Sequence, residues 1–429
     1  MVSFRSPDPK FIFGEVYTSM STDLWDNPFY NGADSEKPIL ATLVAFAYAV
    51  YILAYPPKYR KLSIAFLAIP VIFAFLYQQA LAPSYVLCDT FGRFLYIWLA
   101  HMSFTVTILE WKPPIIKEND GWKSRLKAAY KVLFCISPEA NDTQPRHNHS
   151  RASFLLRHAW KATYLFLFQC LWWALIRHCV TSTPARGADK AIFFRRLPES
   201  LNADELWQRF DQTFNWCIIN MCLYEAYHSV FAIFFVGLHF DGPEEWSMAL
   251  FGSVAQAWSV RRYWGKHWHN YIHASFSGHT KIVTRKWLRM RRGHVSTRLV
   301  ENTIVFGVSG LMHTLVRNFQ DDYGAGGHWF ITLWYVGQMV PIVIEDIVQT
   351  IYRQKKKELG IKDSKGLRVA ERVVGYVWVF GFNSWSIAKY IHTRNAWIDG
   401  NLREKYERQF RVWEEGEIGR WDDGTSGMA

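Results

Sequence analysis

The chain has 429 residues, half of them hydrophobic and 17% aromatic, yet its mean hydropathy is near neutral at −0.07. That combination excludes a string of ordinary soluble domains and calls for apolar blocks alternating with strongly polar ones. A net charge of +12 suits either nucleic acid or a membrane surface. Because the charges cluster in short loops between apolar segments, with no basic soluble domain to hold a duplex, membrane lipid is the expected partner and nucleic acid is not.

From the start, Met1 to Asp34 shows no basic region followed by an apolar core, so no cleaved signal peptide is expected. The first spanning segment should itself direct insertion, leaving residues 1–37 as a lumenal segment. A spanning helix needs about 20 mostly apolar residues. Eight segments fit, near 38–55, 62–80, 85–109, 162–179, 214–238, 300–318, 329–351 and 371–391. The stretch from Trp246 to Trp258 is short and aromatic, and is expected to lie in the interface or re-enter. The fold class is therefore an all-α integral membrane bundle of about eight transmembrane helices. It occupies residues 38–392 as one embedded domain, followed by a polar tail at 393–429.

Basic residues in alternate loops set the orientation. Lys58, Arg60 and Lys61 follow the first segment, and ten basic against four acidic residues lie between Lys112 and Lys161. Ten basic and no acidic residues lie from Arg261 to Arg298, and Arg353, Lys355, Lys356 and Lys357 follow the seventh segment. The intervening loops carry no such excess: Thr181 to Gln212 is balanced, and Gln320 to His328 has only Asp321 and Asp322. Both termini are thus expected on the lumenal or outer side, with the basic loops in the cytosol. Asn141 and Asn148 head glycosylation sequons in one of those loops, so neither should be used. Cys88, Cys135, Cys170, Cys179, Cys217 and Cys222 form no CxxC pair and read as small buried hydrophobes.

Ionisable residues inside a span are costly and by default mark function. Asp89 and Arg93, spaced i, i+4, are best satisfied by each other. Glu225 and His228 could enter a metal site in a bundle, but no second such motif completes one, and no metal is expected. Glu345 and Asp346 sit near a cytosolic end and should reach water. His313, in Ser309-Gly310-Leu311-Met312-His313, shares a helical face with Asn302 and Ser309. Gly307 and Gly310 would allow close helix approach there. A lone membrane histidine is often only an interhelical hydrogen-bonder. A buried neutral imidazole can also accept a proton from an alcohol attacking a thioester.

A second constellation runs from Arg261 and Arg262 through Tyr263, Trp264, Gly265, Lys266, His267, Trp268 and His269 to Asn270. As a zinc site it has His267, His269 and His273, with no cysteine or acidic ligand beside them. As a nucleic-acid patch it is flanked by membrane segments. The readings left open are an interfacial Trp/Arg anchor and a site for a phosphate-rich ligand such as coenzyme A, since Arg and Lys bind phosphates well. Patterns for a Ser hydrolase, a Gly-rich phosphate loop with Lys, and haem attachment are absent, and no cysteine reads as a nucleophile. Direct attack by the substrate hydroxyl is simpler than an acyl-enzyme route.

These two segments resemble a known family. Tyr263-Trp264-Gly265-Lys266-His267-Trp268-His269 is similar to the Phe-Trp-Gly-Arg-Arg-Trp-[His/Asn] signature of wax synthases. Phe306 to Thr314 resembles that family's later Ser-Gly-x-x-His-Glu segment, with the two histidines 44 residues apart. Wax synthases fall within the membrane-bound O-acyltransferase group. The likeness is greatest to fungal wax-synthase-like acetyltransferases of natural-product pathways, the trichothecene acetyltransferase type included. This chain departs at Tyr263 for Phe, at Lys266-His267 for Arg-Arg, and at Thr314 for Glu.

The resemblance implies an acyl-CoA-dependent O-acetyltransferase of the endoplasmic reticulum acting on a lipophilic alcohol of terpenoid type. Acetyl-CoA would be a co-substrate, with no permanently bound cofactor. His313 would be the catalytic base, His269 or Asn270 would donate to the developing oxyanion, and Arg261, Arg262, Trp264, Lys266 and Trp268 would form the donor side. A long-chain wax or sterol ester synthase is the alternative enzyme. A transporter with a path lined by Asp89, Arg93, Glu225 and His228 is the alternative of another class, although no internal repeat is evident.

Overall fold

The computed structural model describes residues 32–82, 85–113, 121–134, 150–179, 203–246, 249–268, 270–318 and 329–391, and no strand occurs among them. The helices are α1 (Glu36–Ala54), α2 (Arg60–Leu76), α3 (Tyr85–Ser103), α4 (Trp122–Leu133), α5 (Arg151–Cys179), α6 (Ala203–Phe214), α7 (Asn220–Gly237), α8 (Asn270–Lys281), α9 (Val295–Asn318), α10 (Phe330–Gly337) and α11 (Met339–Glu358). A last helix, α12, covers 365–391. Wide π turns extend α3 at Phe104–Ile108, join α6 to α7 at Asn215–Ile219, and extend α8 at Ile282–Trp287.

Each of the eight apolar segments read from the sequence falls on a helix. Among the described residues, four helical stretches, Gly32–Ala54, Arg209–Gly237, Val295–Arg317 and Phe330–Glu358, are long and apolar enough to cross a membrane. The last breaks at Gln338, because Pro341 lacks an N–H and its ring crowds the carbonyl four residues earlier. In the described part of Trp246 to Trp258 the helical turn is Val254–Gln256.

The outward faces are apolar to an extent that water does not tolerate. Leu40, Leu43 and Val44 on α1, Phe166 and Leu171 on α5, and Val373, Val374 and Val377 on α12 are all exposed. Contiguous surfaces of this kind mark contact with lipid or partners, and together with the apolar helices they make this a membrane protein.

Among the described residues, two large cores and two small clusters lie inside. In the first core, Ala45 and Ala49 let α1 approach α2 and α4 closely, packing with Leu67, Val71 and Leu133, while α3 adds Leu95 and Trp98. The second gathers Tyr263 and Trp268 with Phe306 of α9, Trp334 and Tyr335 of α10, Ile342 of α11 and Tyr390 of α12. Both sequence motifs lie in this second core. Cys88, Cys217 and Cys222 are buried as expected, whereas Cys170 is exposed on α5. Residues 1–31, the sequons at Asn141 and Asn148, Cys135 and the tail from 392 lie outside the described residues.

Candidate active site

The Arg261–His267 stretch is a capped turn wedged between helices. Ser259 is extended, and its hydroxyl accepts the Arg262 N–H at 3.1 Å, an N-cap interaction. The Glu345 carboxylate of α11 accepts the Val260 N–H at 2.6 Å and the Arg261 N–H at 3.2 Å. It also accepts Trp378 Nε1–H of α12 at 2.8 Å. Glu345 is therefore buried and does not reach water as the sequence suggested. Its charge is satisfied by three N–H donors instead of solvent. Asp346 keeps the expected exposure and pairs with the Arg261 guanidinium.

The π turn Tyr263–His267 follows directly. Gly252 closes it, with its N–H donating to the His267 carbonyl at 2.8 Å. Its own carbonyl lies 2.7 Å from His267 Nδ1, which must then be the donor. A Cβ on Gly252 would fall 1.9 Å from the Lys266 carbonyl oxygen, so no other residue fits. His267 is thus a structural histidine. Burial lowers its pKa, while the Gly252 carbonyl acts in the opposite direction.

The turn presents its tryptophans to the rest of the core. Trp268 stacks on Tyr263 and on Trp216, with centroids at 5.4 and 6.3 Å. Trp264 meets Phe306 of α9 edge-on at 5.7 Å and Tyr335 of α10 at 6.2 Å. Tyr335 in turn lies flat against the His313 ring, centroids 4.7 Å apart and planes within 7°. The two motifs that stand apart in sequence therefore join through one aromatic relay, Trp264 to Tyr335 to His313.

Close packing of α9 on α10 makes that stack possible. A Cβ on Gly310 would lie 2.8 Å from Thr332 Cα and 2.9 Å from Tyr335 Cβ, whereas one on Gly307 would meet nothing nearer than Val336 Cγ2 at 3.9 Å. Thr314 is fully buried, and its hydroxyl bonds that of Thr332 at 2.7 Å. Arg317, one turn beyond His313, is buried with its guanidinium 4.5 Å from the Tyr390 ring centre. Asp89 and Arg93 form the ion pair expected of them.

The other expected site residues distribute as follows. Arg262 bonds Gln256 and lies 4.7 Å from the Trp258 ring centre. Lys266 is exposed. His269 and the side chains of Asn270 and His273 lie outside the described residues. Glu225 pairs with Lys161 of α5 and accepts the Phe251 N–H at 3.0 Å, while His228 sits against Trp246. No group of three His, Cys, Asp or Glu side chains able to hold a metal occurs among the described residues. Sequence reasoning did not single out Tyr335 or the capping role of Glu345. Gly310 signalled a close approach without naming what approaches.

Comparison with known proteins points the same way. Residues 246–335 match the Membrane bound O-acyl transferase family. That match takes in the capped turn, His313 and Tyr335, the elements the aromatic relay connects. Acetyltransferase atnC of an Arthrinium species is 26% identical over 258 residues, 56% of this chain and 55% of the relative. Acetyltransferase fsoF of Humicola fuscoatra is 26% identical over 265 residues, 59% and 61% respectively. Acetyltransferase TRI7 of Fusarium sporotrichioides is 28% identical over 233 residues, 53% and 51%. The chain thus spans little more than half the length of these relatives. Both the family name and the relatives' names are those of acyl-transferring enzymes, in accord with the wax-synthase-like resemblance. No solved structure matches the chain.

Proposed function

We propose that the chain is a membrane-bound O-acetyltransferase that moves an acetyl group from acetyl-CoA to a hydroxyl of a lipophilic secondary metabolite of terpenoid or meroterpenoid type. The observation that carries this reading is the buried His313 ring held flat against Tyr335, with Trp264 of the signature 6.2 Å from the Tyr335 ring. His313 takes the hydroxyl proton as the alcohol oxygen attacks the thioester carbonyl, and coenzyme A leaves as its thiolate. His269 or Asn270 donates to the oxyanion of the tetrahedral intermediate. The relatives' printed names favour acetyl over a longer acyl group.

In this reading the chain crosses the membrane of the endoplasmic reticulum eight times, with 38–392 as the embedded domain and 1–37 and 393–429 on the lumenal side. The donor arrives from the cytosol along the basic loop, where Lys266 is exposed. Arg261 and Arg262, already engaged by Asp346 and Gln256, hold the turn that carries Trp264 and Trp268. The acceptor arrives from the bilayer.

The test is transfer from labelled acetyl-CoA to a panel of hydroxylated terpenoids in membranes holding the wild-type chain or His313→Ala. Removing a general base lowers the rate by about a hundredfold to ten-thousandfold. Retention of more than about a third of wild-type turnover by an abundant variant lies far outside that range and would remove His313 from the chemistry.

A further inference from the structure

Away from His313, a second pairing of a hydroxyl with an imidazole lies beside a cavity. Ser103 closes α3 and His279 lies on α8, with Ser103 Oγ and His279 Nε2 3.0 Å apart. The other ring nitrogen, Nδ1, is 2.8 Å from the Ser275 carbonyl oxygen. A carbonyl can only accept, so Nδ1 carries the proton. In the neutral ring Nε2 then keeps its lone pair, and the Ser103 hydroxyl donates to it. A nucleophile bonded to a base, itself oriented by a third group, is the arrangement that activates a serine.

The surroundings suit a substrate. A cavity of about 760 Å³ is walled by Phe104 and Gly278, the immediate neighbours of the pair, and by Ser277, Lys281, Arg285 and Lys286. That volume lies within the usual range of small-molecule sites. Ile108, Leu109 and Ile282 supply an apolar side. No lining residue is acidic; Glu301, outside the lining, bonds Arg285 at 3.0 Å. The wall is cationic and half apolar, which fits a phosphate attached to a less polar body. A Cβ on Gly278 would fall 2.1 Å from the Phe104 ring, so glycine is what brings α3 near enough to α8 for the pair to form.

We propose that Ser103 and His279 form a second acyl-accepting site, whose substrate is an acyl ester or thioester with a phosphate-bearing leaving part. This rests on the acyl-transfer reading above and adds a covalent step to it. Ser103 Oγ attacks the acyl carbonyl while its proton passes to His279 Nε2. The bond from carbonyl carbon to the leaving sulfur or oxygen breaks, and the departing group takes the proton from His279. Water or an alcohol then attacks the acyl-serine while His279 accepts its proton; the bond from the acyl carbon to Ser103 Oγ breaks, and His279 returns that proton to Oγ. Lys281, Arg285 and Lys286 hold the phosphate. A thioester donor and a phospholipid share this chemistry.

A fluorophosphonate probe tests the activated serine without any donor, so the outcome is separate from whether His313 supports acetyl transfer. In membranes holding the full chain, mass spectrometry should find the probe on Ser103 in wild type and equally in His313→Ala. Labelling should vanish in Ser103→Ala and fall at least about tenfold in His279→Gln, which keeps a polar side chain but no base. An unlabelled Ser103 in abundant wild-type protein would reduce the pair to a clasp between helices and overturn the proposal. Labelled acetyl-CoA and vesicles of acyl-labelled phosphatidylserine then distinguish the sources. Acyl label on Ser103 from either supports the site and names its source; label from neither overturns the acyl step.

Discussion

Gly310→Ala disturbs the His313 site without removing any polar group. The new Cβ would stand 2.8 Å from Thr332 Cα, 2.9 Å from Tyr335 Cβ and 3.0 Å from the Thr332 carbonyl oxygen. Carbon atoms rest about 3.5–4.0 Å apart, so α10 has to retreat by roughly 0.6–1.2 Å. Two of the three obstructing atoms are backbone and cannot rotate away. Overpacking of this kind costs about 1–3 kcal/mol, and the better helix propensity of Ala offsets about 1 kcal/mol of it. The retreat carries Tyr335, whose ring sets the plane of His313. A misplacement of about 1 Å in a reacting assembly costs on the order of a hundredfold in rate.

Gly307→Ala is the matched control, three residues earlier on α9, because its Cβ makes only an ordinary contact at 3.9 Å. The assay is acetyl transfer from labelled acetyl-CoA at saturating alcohol, normalised to protein abundance. Gly310→Ala should lose about a hundredfold, and Gly307→Ala should stay within about twofold of wild type. Equal activity in the two variants would refute the view that the α9–α10 contact aligns His313.

Glu345→Ala strips the acceptor from three N–H donors, and each buried donor left unsatisfied costs about 1–3 kcal/mol. The thermal transition of the solubilised protein should fall, less so for Glu345→Gln; an unchanged transition for Ala would show that the carboxylate does not hold the turn. Lys266→Ala should raise the apparent KM for acetyl-CoA with little change at saturating donor, whereas Arg261→Ala, by releasing Asp346, should lower protein yield instead. An unchanged donor KM for Lys266→Ala would move the donor phosphates elsewhere. A cysteine at Ser277 should react with an impermeant reagent once the plasma membrane is opened and the endoplasmic reticulum left sealed; a requirement for lumenal access would invert the orientation.

The helices were legible in the sequence because a segment that enters lipid must satisfy its own backbone, as a helix does, and must also carry apolar side chains over about 20 residues. The same reading found His313 and its neighbour Gly310, since a polar group or a missing side chain stands out against such a run. The signature at Tyr263–His269 was visible as a cluster of aromatic and basic residues, although its local form was not. Nothing in its composition foretold a π turn closed by Gly252 from eleven residues upstream of Tyr263.

Tertiary structure decided which groups face one another. Glu345 read as a carboxylate near a helix end that should find water; whether it meets water or three N–H groups depends on where α12 and the capped turn pack. Tyr335 was one of 21 tyrosines until α10 settled against Gly310 and laid it on His313. Ser103 and His279, 176 positions apart, became a pair only because Gly278 lets Phe104 approach. Periodicity and polarity act along the chain and can be read from it. Contacts between distant residues depend on how side-chain volumes interlock across helices, which no single segment records.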